Sequence, residues 1–168
     1  VRARRNSRLN EYMLTILRRF LAVVALMFWQ GGFTFYAAVV VPIGQRVLGS
    51  HLEQGFITRE VTWHLNVAGA VAMALLALEL HASGYPRQLQ SKLRWGIWAC
   101  MAAVLLALII AHPSLNALID VDAHTITDRA RFRSHHRMYL WISTLEWVLG
   151  GIYLWLMLRA WRTENDRK

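Results

Sequence analysis

Four long apolar segments, separated by short polar stretches, dominate the sequence. They cover residues 20–43, 61–80, 95–111 and 138–158. Each is close to the ~20 residues that a helix needs to cross a hydrocarbon core of ~30 Å. None shows the alternation of apolar and polar positions that is typical of membrane β-barrels, whereas helices satisfy their own backbone hydrogen bonds in lipid. The pattern predicts an all-α integral membrane protein, an antiparallel four-helix transmembrane bundle that forms one domain over residues 1–168.

The composition excludes several classes of protein. Of 168 residues, 56% are hydrophobic and 17% are charged, with a mean hydropathy of +0.30. A soluble domain needs more charge, and a disordered chain is much less apolar. The single Cys100 excludes an internal disulfide and a site made of cysteines alone. No phosphate-binding loop, dinucleotide fingerprint or zinc-protease motif occurs, and the basic residues are too scattered to form a nucleic-acid surface.

The distribution of basic residues predicts an orientation in the membrane. Thirteen of the nineteen lysines and arginines lie in the N-terminal segment, the second loop and the C-terminal tail, while the first and third loops hold six beside five acids. The positive-inside rule therefore places both termini in the cytoplasm. We expect the first span to remain uncleaved, because its apolar run is too long for a signal peptide and no A-x-A site follows.

Small residues recur at a spacing of four within the spans. The pairs are Ala68 and Ala72, Ala70 and Ala74, Gly96 and Cys100, and Ala99 and Ala103, with double glycines at 31–32 and 150–151. In lipid, such positions allow helices to pack with their backbones close together. We expect them to hold the bundle together. The alternative is that some of them face a homo-oligomer or other membrane subunits.

Histidines gather at one predicted face of the membrane. Six of the seven fall on the outer side: His51, His64, His112, His124, His135 and His136. Imidazole is a common ligand of copper, zinc and haem iron. We expect His64 and His135 to hold haem b or copper, with His136 as a further cofactor ligand and His112 as a further metal ligand. The alternative is that these side chains only contact headgroups and loop carbonyls.

Glu146 lies near the middle of the fourth span, where an ionised carboxylate costs ~2.5–3.5 kcal/mol. It should therefore face the bundle interior and be protonated or paired. At about 100° per residue, His135, Tyr139 and Glu146 share one stripe of the helix. We interpret Tyr139 and Glu146 as a proton path or as the surroundings of a metal or haem group.

Two further interpretations concern the polar residues. The alternative for the polar stripe of His135, Tyr139 and Glu146 is interhelical hydrogen bonding to Gln30, Asn66 or Ser143. Glu79 is expected to be structural, near Arg87 and the inner interface. The third loop, DAHTITDRARFRSHHR, is expected to form a short amphipathic helix on the membrane surface. Its alternative is that Asp122 with His124, and Asp128 with the two following arginines, complete a site.

Three stretches carry a resemblance to a known family. They are WQGGFTFYAAVVVPIG, EQGFITREVTWHLN and FRSHHRMYLWISTLEW. With the four-span layout over about residues 20–160, the chain resembles the membrane family that includes transmembrane protein 205. That family is similar in turn to the copper resistance protein D group and to the haem-binding protoporphyrinogen oxidases. The family's aromatic–x–x–His corresponds here to Phe132 and His135.

The resemblance implies a multi-pass protein of the bacterial inner (plasma) membrane that handles metal or haem. One departure matters, because the oxidases place a haem-ligating histidine in the first span and residues 20–43 contain none. We therefore expect a role in redox or metal handling, without assigning a catalysed reaction. Two alternatives stay open: a cofactor-free accessory subunit of a larger membrane complex, and a small proton-coupled transporter that uses Glu146.

Overall fold

The structure, a computed structural model, describes residues 2–83, 88–120, 123 and 125–165, with side chains at 9–83, 90–120, 123 and 125–163. In chain order, the described elements are α1 (Arg2–Phe35), a π-helical turn (Tyr36–Val40), α2 (Val41–Leu48), α3 (His51–Ala82), α4 (Gln88–Asn116), β1 (Ile119–Asp120), β2 (Thr125–Ile126) and α5 (Arg129–Asn165).

Four helical stretches within the described residues are long and apolar enough to cross a membrane. They are Leu9–Leu48, His51–Ala82, Gln90–Asn116 and Arg129–Thr163. Each contains one of the four predicted spans, so their number and order are confirmed. Each is also longer than its apolar core, because the hydrocarbon thickness limits only the apolar part of a helix and not its polar ends.

The first membrane helix changes its winding near Pro42. Proline has no N–H to donate and its ring crowds the preceding turn, so a regular α-helix is disfavoured at this point. The chain widens into the π-helical turn, in which the Val41 N–H donates to the Tyr36 carbonyl five residues earlier. With Pro42 in the first turn of α2, the helix continues to Leu48. Such π-helical turns are often found at functional sites.

A two-residue junction connects α2 to α3. Gly49 has φ 63°, a left-handed conformation that suits glycine, and its N–H donates to the Gln45 carbonyl at 3.2 Å. Ser50 then caps α3, because its side chain accepts a hydrogen bond from the Glu53 N–H. The short junction keeps α2 against the start of α3, where their side chains begin the site described below.

The apolar core fills one half of the bundle. Its buried members are Ala22, Leu26, Trp29, Ala72, Met73, Leu76, Met101, Leu105, Tyr153 and Met157. Helix α1 packs on α3, α3 on α4 and α4 on α5, whereas α1 and α5 make few contacts with each other. The bundle is therefore densely packed in one half and weakly closed between its first and last membrane helices.

The predicted small-residue seams are only partly used inside the chain. Ala72 is fully buried, and Ala68 packs against the core. The pairs Ala70–Ala74, Gly96–Cys100 and Ala99–Ala103 are exposed. A spacing of four places small residues on one face of a helix, but it does not show whether that face meets a neighbouring helix or lipid.

The connection between α4 and α5 corrects a prediction, because the expected surface helix is absent from its described residues. Helix α4 ends at Asn116, and β1 and β2 pair antiparallel, with Ile119 opposite Ile126. The second half of the segment is the beginning of α5. Asx and threonine side chains favour turns over helix here. The predicted pair of Asp122 and His124 lies outside the described residues.

Candidate functional site

A cavity of about 560 Å³ occupies the half of the bundle that the core leaves unfilled. Its wall includes His51, Asn116 and His136, and we call this end of the bundle the histidine end. Aromatic side chains from three elements line it: Trp29 and Phe33 from α1, Tyr36 from the π-helical turn, and Phe132 and Trp147 from α5. The volume is in the range of small-molecule sites, and most of its wall is apolar.

Glu146 lies on the wall of this cavity without a partner. Its side chain is 3% exposed, and neither carboxyl oxygen has a hydrogen-bond partner within the described part of the chain. The alternative of interhelical hydrogen bonds from the polar stripe to Gln30, Asn66 or Ser143 therefore holds for Tyr139 with Asn66 but not for Glu146, although all three of these partners line the cavity. Because buried polar groups are almost always hydrogen-bonded, an unpartnered carboxyl is unusual.

Two hydrogen-bonded pairs of polar side chains lie between Glu146 and the histidine end. The Asn66 amide nitrogen donates to the Tyr139 hydroxyl at 3.1 Å, and both residues are buried. Nearer the end, Gln54 donates to the Tyr36 hydroxyl at 3.2 Å. Tyr139 and Glu146 are seven residues apart, so about two helical turns, or ~10 Å, separate them along α5. The predicted stripe of Tyr139 and Glu146 does line one cavity.

The histidines divide into two groups. His112 and His136 line the cavity, as does the exposed His51. His112 has both ring nitrogens engaged: Nε2 donates to the Arg59 carbonyl at 3.1 Å, and Nδ1 accepts from the Asn116 amide at 3.2 Å. The His136 ring stacks on Phe132, with centroids 5.8 Å apart.

His64 and His135, the predicted cofactor ligands, are not part of the cavity wall. His64 is exposed and donates from Nδ1 to the Glu60 carbonyl at 2.8 Å, while His135 donates to the Arg131 carbonyl at 3.1 Å. Among the described residues, no three histidine, cysteine, aspartate or glutamate side chains are arranged to hold a metal ion. The structure therefore does not gather His64, His112 and His135 into one site.

The cavity is closed on one side by two contacts between α1 and α5. Trp147 donates from Nε1 to the Thr34 hydroxyl at 3.0 Å. Gln30 packs directly on Gly150, where a Cβ atom would collide with its amide. Sequence reasoning missed the role of Trp147 because it is one of eight tryptophans in the chain, and the sequence does not show that it lies opposite Thr34.

The opposite end of the bundle is closed by a buried ion pair. Arg94 on α4 donates to Glu79 on α3, and Trp161 on α5 donates to the same carboxylate at 2.9 Å. We call this end, with Arg19 above the Trp161 ring, the arginine end. The predicted structural role of Glu79 fits this arrangement, with Arg94 as its partner, while the predicted neighbour Arg87 lies outside the described residues.

No family model, curated protein or solved structure matches this chain.

Proposed function

We propose that this protein binds a small molecule in the cavity at the histidine end and exchanges a proton at Glu146, as a proton-coupled transporter does. The observation that carries the proposal is the Glu146 carboxyl, which is buried on the cavity wall without a hydrogen-bond partner among the described residues. An isolated charge is costly in an apolar environment, so the empty cavity favours the protonated carboxyl. A ligand that supplies a positive or donating group removes that cost.

The orientation belongs to the same proposal. We place both termini in the cytoplasm of a bacterial cell, with an antiparallel bundle in the inner membrane and the histidine end outside. The excess of basic residues in the terminal segments and second loop supports this orientation. The hydrogen bond of Tyr36, late in the first membrane helix, to Thr58, early in α3, supports antiparallel neighbours. The contact of Trp161 with Glu79 joins the ends of α5 and α3, which run in the same direction in such an up-and-down bundle.

Cysteine labelling tests whether Glu146 is reached by water from the histidine end. Ser143 is buried on the cavity wall, one turn from Glu146, whereas its neighbour Thr144 is exposed on the outer surface of the bundle. In a Cys100→Ser background, Ser143→Cys should react with a membrane-impermeant thiosulfonate added outside, and Thr144→Cys should not. Equal labelling of both positions, or of neither, contradicts an aqueous route to Glu146.

Infrared difference spectroscopy tests the proton. In lipid, the pH-induced spectrum of the native protein should contain a protonated-carboxyl band that Glu146→Gln removes. Glu60→Gln is the matched control, because the Glu60 side chain is 67% exposed and pairs only with Arg59 among the described residues at 3.4 Å. A band that persists in Glu146→Gln would contradict proton exchange at this position.

A haem b or copper group is a second candidate, which one observation favours. His136 lines the cavity and makes no hydrogen bond with the described residues. The described wall offers only His136 and the exposed His51 for such a group, because both nitrogens of His112 are engaged. A reduced-minus-oxidised absorption spectrum with metal analysis tests it: a Soret band lost in His136→Ala supports haem, and a colourless, metal-free, folded protein contradicts both groups.

An accessory role would need neither the cavity nor Glu146. The exposed residues that such a subunit offers to a partner are Gly96, Ala99, Cys100 and Ala103 on α4. A protein that shows no aqueous labelling of Ser143→Cys and no Glu146 band, but co-purifies with another membrane protein, would fit this alternative better than the proposal.

A further inference from the structure

We infer that the ligand of this cavity is a lipophilic organic monocation that reaches Glu146 from the lipid, through the contact between α1 and α5. The inference rests on the proposed function, because it names the class of molecule that the cavity takes. Three features of the described residues carry it: the charge that the cavity offers, the chemistry of its walls, and the thinness of one wall.

The group that can carry a negative charge deep in the described cavity wall is the buried carboxyl of Glu146. The other titratable or charged side chains that line the cavity are Tyr36, His51, Arg59, His112, His136 and Tyr139. Of these, Arg59 lies seven residues before Asn66 on α3, about 10 Å along the helix. Asn66 contacts Tyr139, which is itself two turns from Glu146. Arg59 therefore lies toward the mouth, where it pairs with Glu60 at 3.4 Å, and leaves the depth of the cavity to one acidic group.

The walls suit a cation with apolar substituents. Trp29, Phe33, Tyr36 and Trp147 face the cavity, and the negative faces of aromatic rings attract cations as well as apolar groups. An anion would meet the same rings and the Glu146 carboxyl, while the positive charge of Arg59 in the described wall lies toward the mouth and is paired with Glu60. A small hydrated ion would gain little from apolar walls, and ligands of this volume bury most of their surface in such sites.

The lateral route from the lipid is inferred from three side chains of the cavity wall. Ala37, Leu140 and Trp147 line the cavity and are also exposed. On a membrane-spanning helix, an exposed apolar side chain meets acyl chains. The wall between α1 and α5 is therefore thin, and among the described residues the Trp147–Thr34 hydrogen bond and the packing of Gln30 on Gly150 join the two helices near Glu146.

The proton balance of binding is simple. The protonated Glu146 carboxyl loses its proton, which leaves through the polar side chains toward water at the histidine end. The resulting carboxylate pairs with the cation, so one proton is released for each monocation bound. Binding should therefore be stronger at high pH, and the release should be measurable in weakly buffered solution.

Binding of tetraphenylphosphonium to the purified full-length protein in detergent tests the ligand class. The native protein should bind it with release of one proton, and Glu146→Gln should weaken binding at least tenfold. Glu11→Gln should bind as the native protein does, because Glu11 is exposed on α1 and is not part of the cavity wall. Tetraphenylborate, an anion of the same shape, should bind at least tenfold more weakly. Equal binding of the anion, or unchanged binding by Glu146→Gln, would overturn the inference.

A disulfide tests the route. In a Cys100→Ser background, Gln30→Cys with Gly150→Cys places two thiols where Gln30 now packs on Gly150. In liposomes, oxidation should slow association of tetraphenylphosphonium at least tenfold, and reduction should restore it. If the pair does not cross-link, Thr34→Val removes the hydrogen bond from Trp147 and should accelerate association. Rates that are unchanged by the closed disulfide, or by Thr34→Val, would overturn the lateral route.

The outcomes separate this inference from the proposed function. Water-accessible Ser143→Cys and a Glu146 proton band without binding of the cation would overturn the ligand class and leave proton exchange at Glu146 in place. Absence of both the labelling and the band would remove the proposed function itself.

Discussion

The Arg94 guanidinium and the Glu79 carboxylate form an ion pair from which solvent is almost completely excluded, with side chains 1% and 0% exposed. Glu79 also accepts hydrogen bonds from Ser83 at 2.8 Å and from Trp161 at 2.9 Å. The pair thus joins α3, α4 and α5 at the arginine end. This end of the bundle is closed by polar contacts, and neither Glu79, Arg94 nor Trp161 is part of the cavity wall.

Removal of one charge from this pair should destabilise the bundle strongly. Glu79→Gln keeps the size of the side chain but leaves the Arg94 charge buried without its counter-ion. Breaking a buried pair in this way costs about 3–5 kcal/mol. Unfolding of the detergent-purified protein in a denaturant titration, followed by tryptophan fluorescence, should show a loss of this order.

The control for this experiment is the exposed pair of Arg59 and Glu60, whose side chains are 30% and 67% exposed. Glu60→Gln should change the free energy of unfolding by less than about 1 kcal/mol, as for other surface ion pairs. Equal effects of Glu79→Gln and Glu60→Gln would mean that water reaches the Arg94 charge.

Gly69 should not tolerate a methyl group. A Cβ atom there would lie 2.7–2.9 Å from three atoms of the Trp29 indole, which borders both the core and the cavity. Overpacking of this kind costs about 1–3 kcal/mol, and the ring would have to move. Gly69→Ala should lower the thermal unfolding midpoint in detergent.

Gly55→Ala is its matched control on the same helix, because no atom lies within 4 Å of the added Cβ. Alanine also favours helix over glycine. An unfolding midpoint for Gly69→Ala equal to that for Gly55→Ala would show that the Trp29 contact is looser than the structure has it.

Asn66 and Tyr139 should be energetically coupled. Tyr139→Phe leaves the buried Asn66 amide without the hydroxyl to which it donates, and an unsatisfied buried group costs about 1–3 kcal/mol. Asn66→Leu leaves the hydroxyl unpaired in the same way. A double-mutant cycle on the free energy of unfolding should give a favourable coupling of about 0.5–3 kcal/mol. A coupling near zero would mean that water in the cavity replaces the lost partner.

The membrane helices could be predicted from the sequence because their signal is local. Each apolar run is long enough by itself to indicate a span, and all four lie inside helices of the structure. The ends of the helices were harder to predict from the sequence. Pro42 leads to a π-helical turn instead of ending the helix, and Ile119–Asp120 pairs with Thr125–Ile126 in the connection where an amphipathic helix was expected.

The site was predictable only in part, because it depends on contacts between helices. The position of Glu146 in the middle of a span marked it as an inward-facing residue, and Tyr139 followed from helical phase. The contacts of the histidines could not be predicted from span position or helical phase. His64 is exposed on α3 and bonds to its own helix, and His136 rather than His135 faces the cavity, a difference of one residue and about 100°.

Asp128 should make the start of α5 sensitive to acid. Its Oδ1 accepts the backbone N–H groups of Ala130 and Arg131, each at 3.0 Å, so it caps the helix that carries Glu146. The hydrogen bond from the Arg131 N–H is the largest cause that lowers the pKa of this exposed carboxyl. A lowered pKa means that the folded state favours the ionised form. Its stabilisation is fully present above the usual aspartate pKa of about 3.9 and is lost as the pH falls through the lower pKa of the folded protein.

Asp128→Asn and Asp128→Ala separate the charge from the cap. Asparagine retains a capping oxygen that does not ionise, so the advantage of the native protein over Asp128→Asn should shrink as the pH falls below about 4. Asp128→Ala should destabilise α5 relative to Asp128→Asn at every pH, because it removes the acceptor. Both the loss of the charge and the loss of the cap can be measured by hydrogen exchange at the Ala130 and Arg131 amides. The rates are measured from pH 6 down to pH 3 and corrected for intrinsic exchange. An advantage over Asp128→Asn that stays constant across this range would contradict a role for the carboxylate charge, and equal protection in Asp128→Ala would contradict the cap itself.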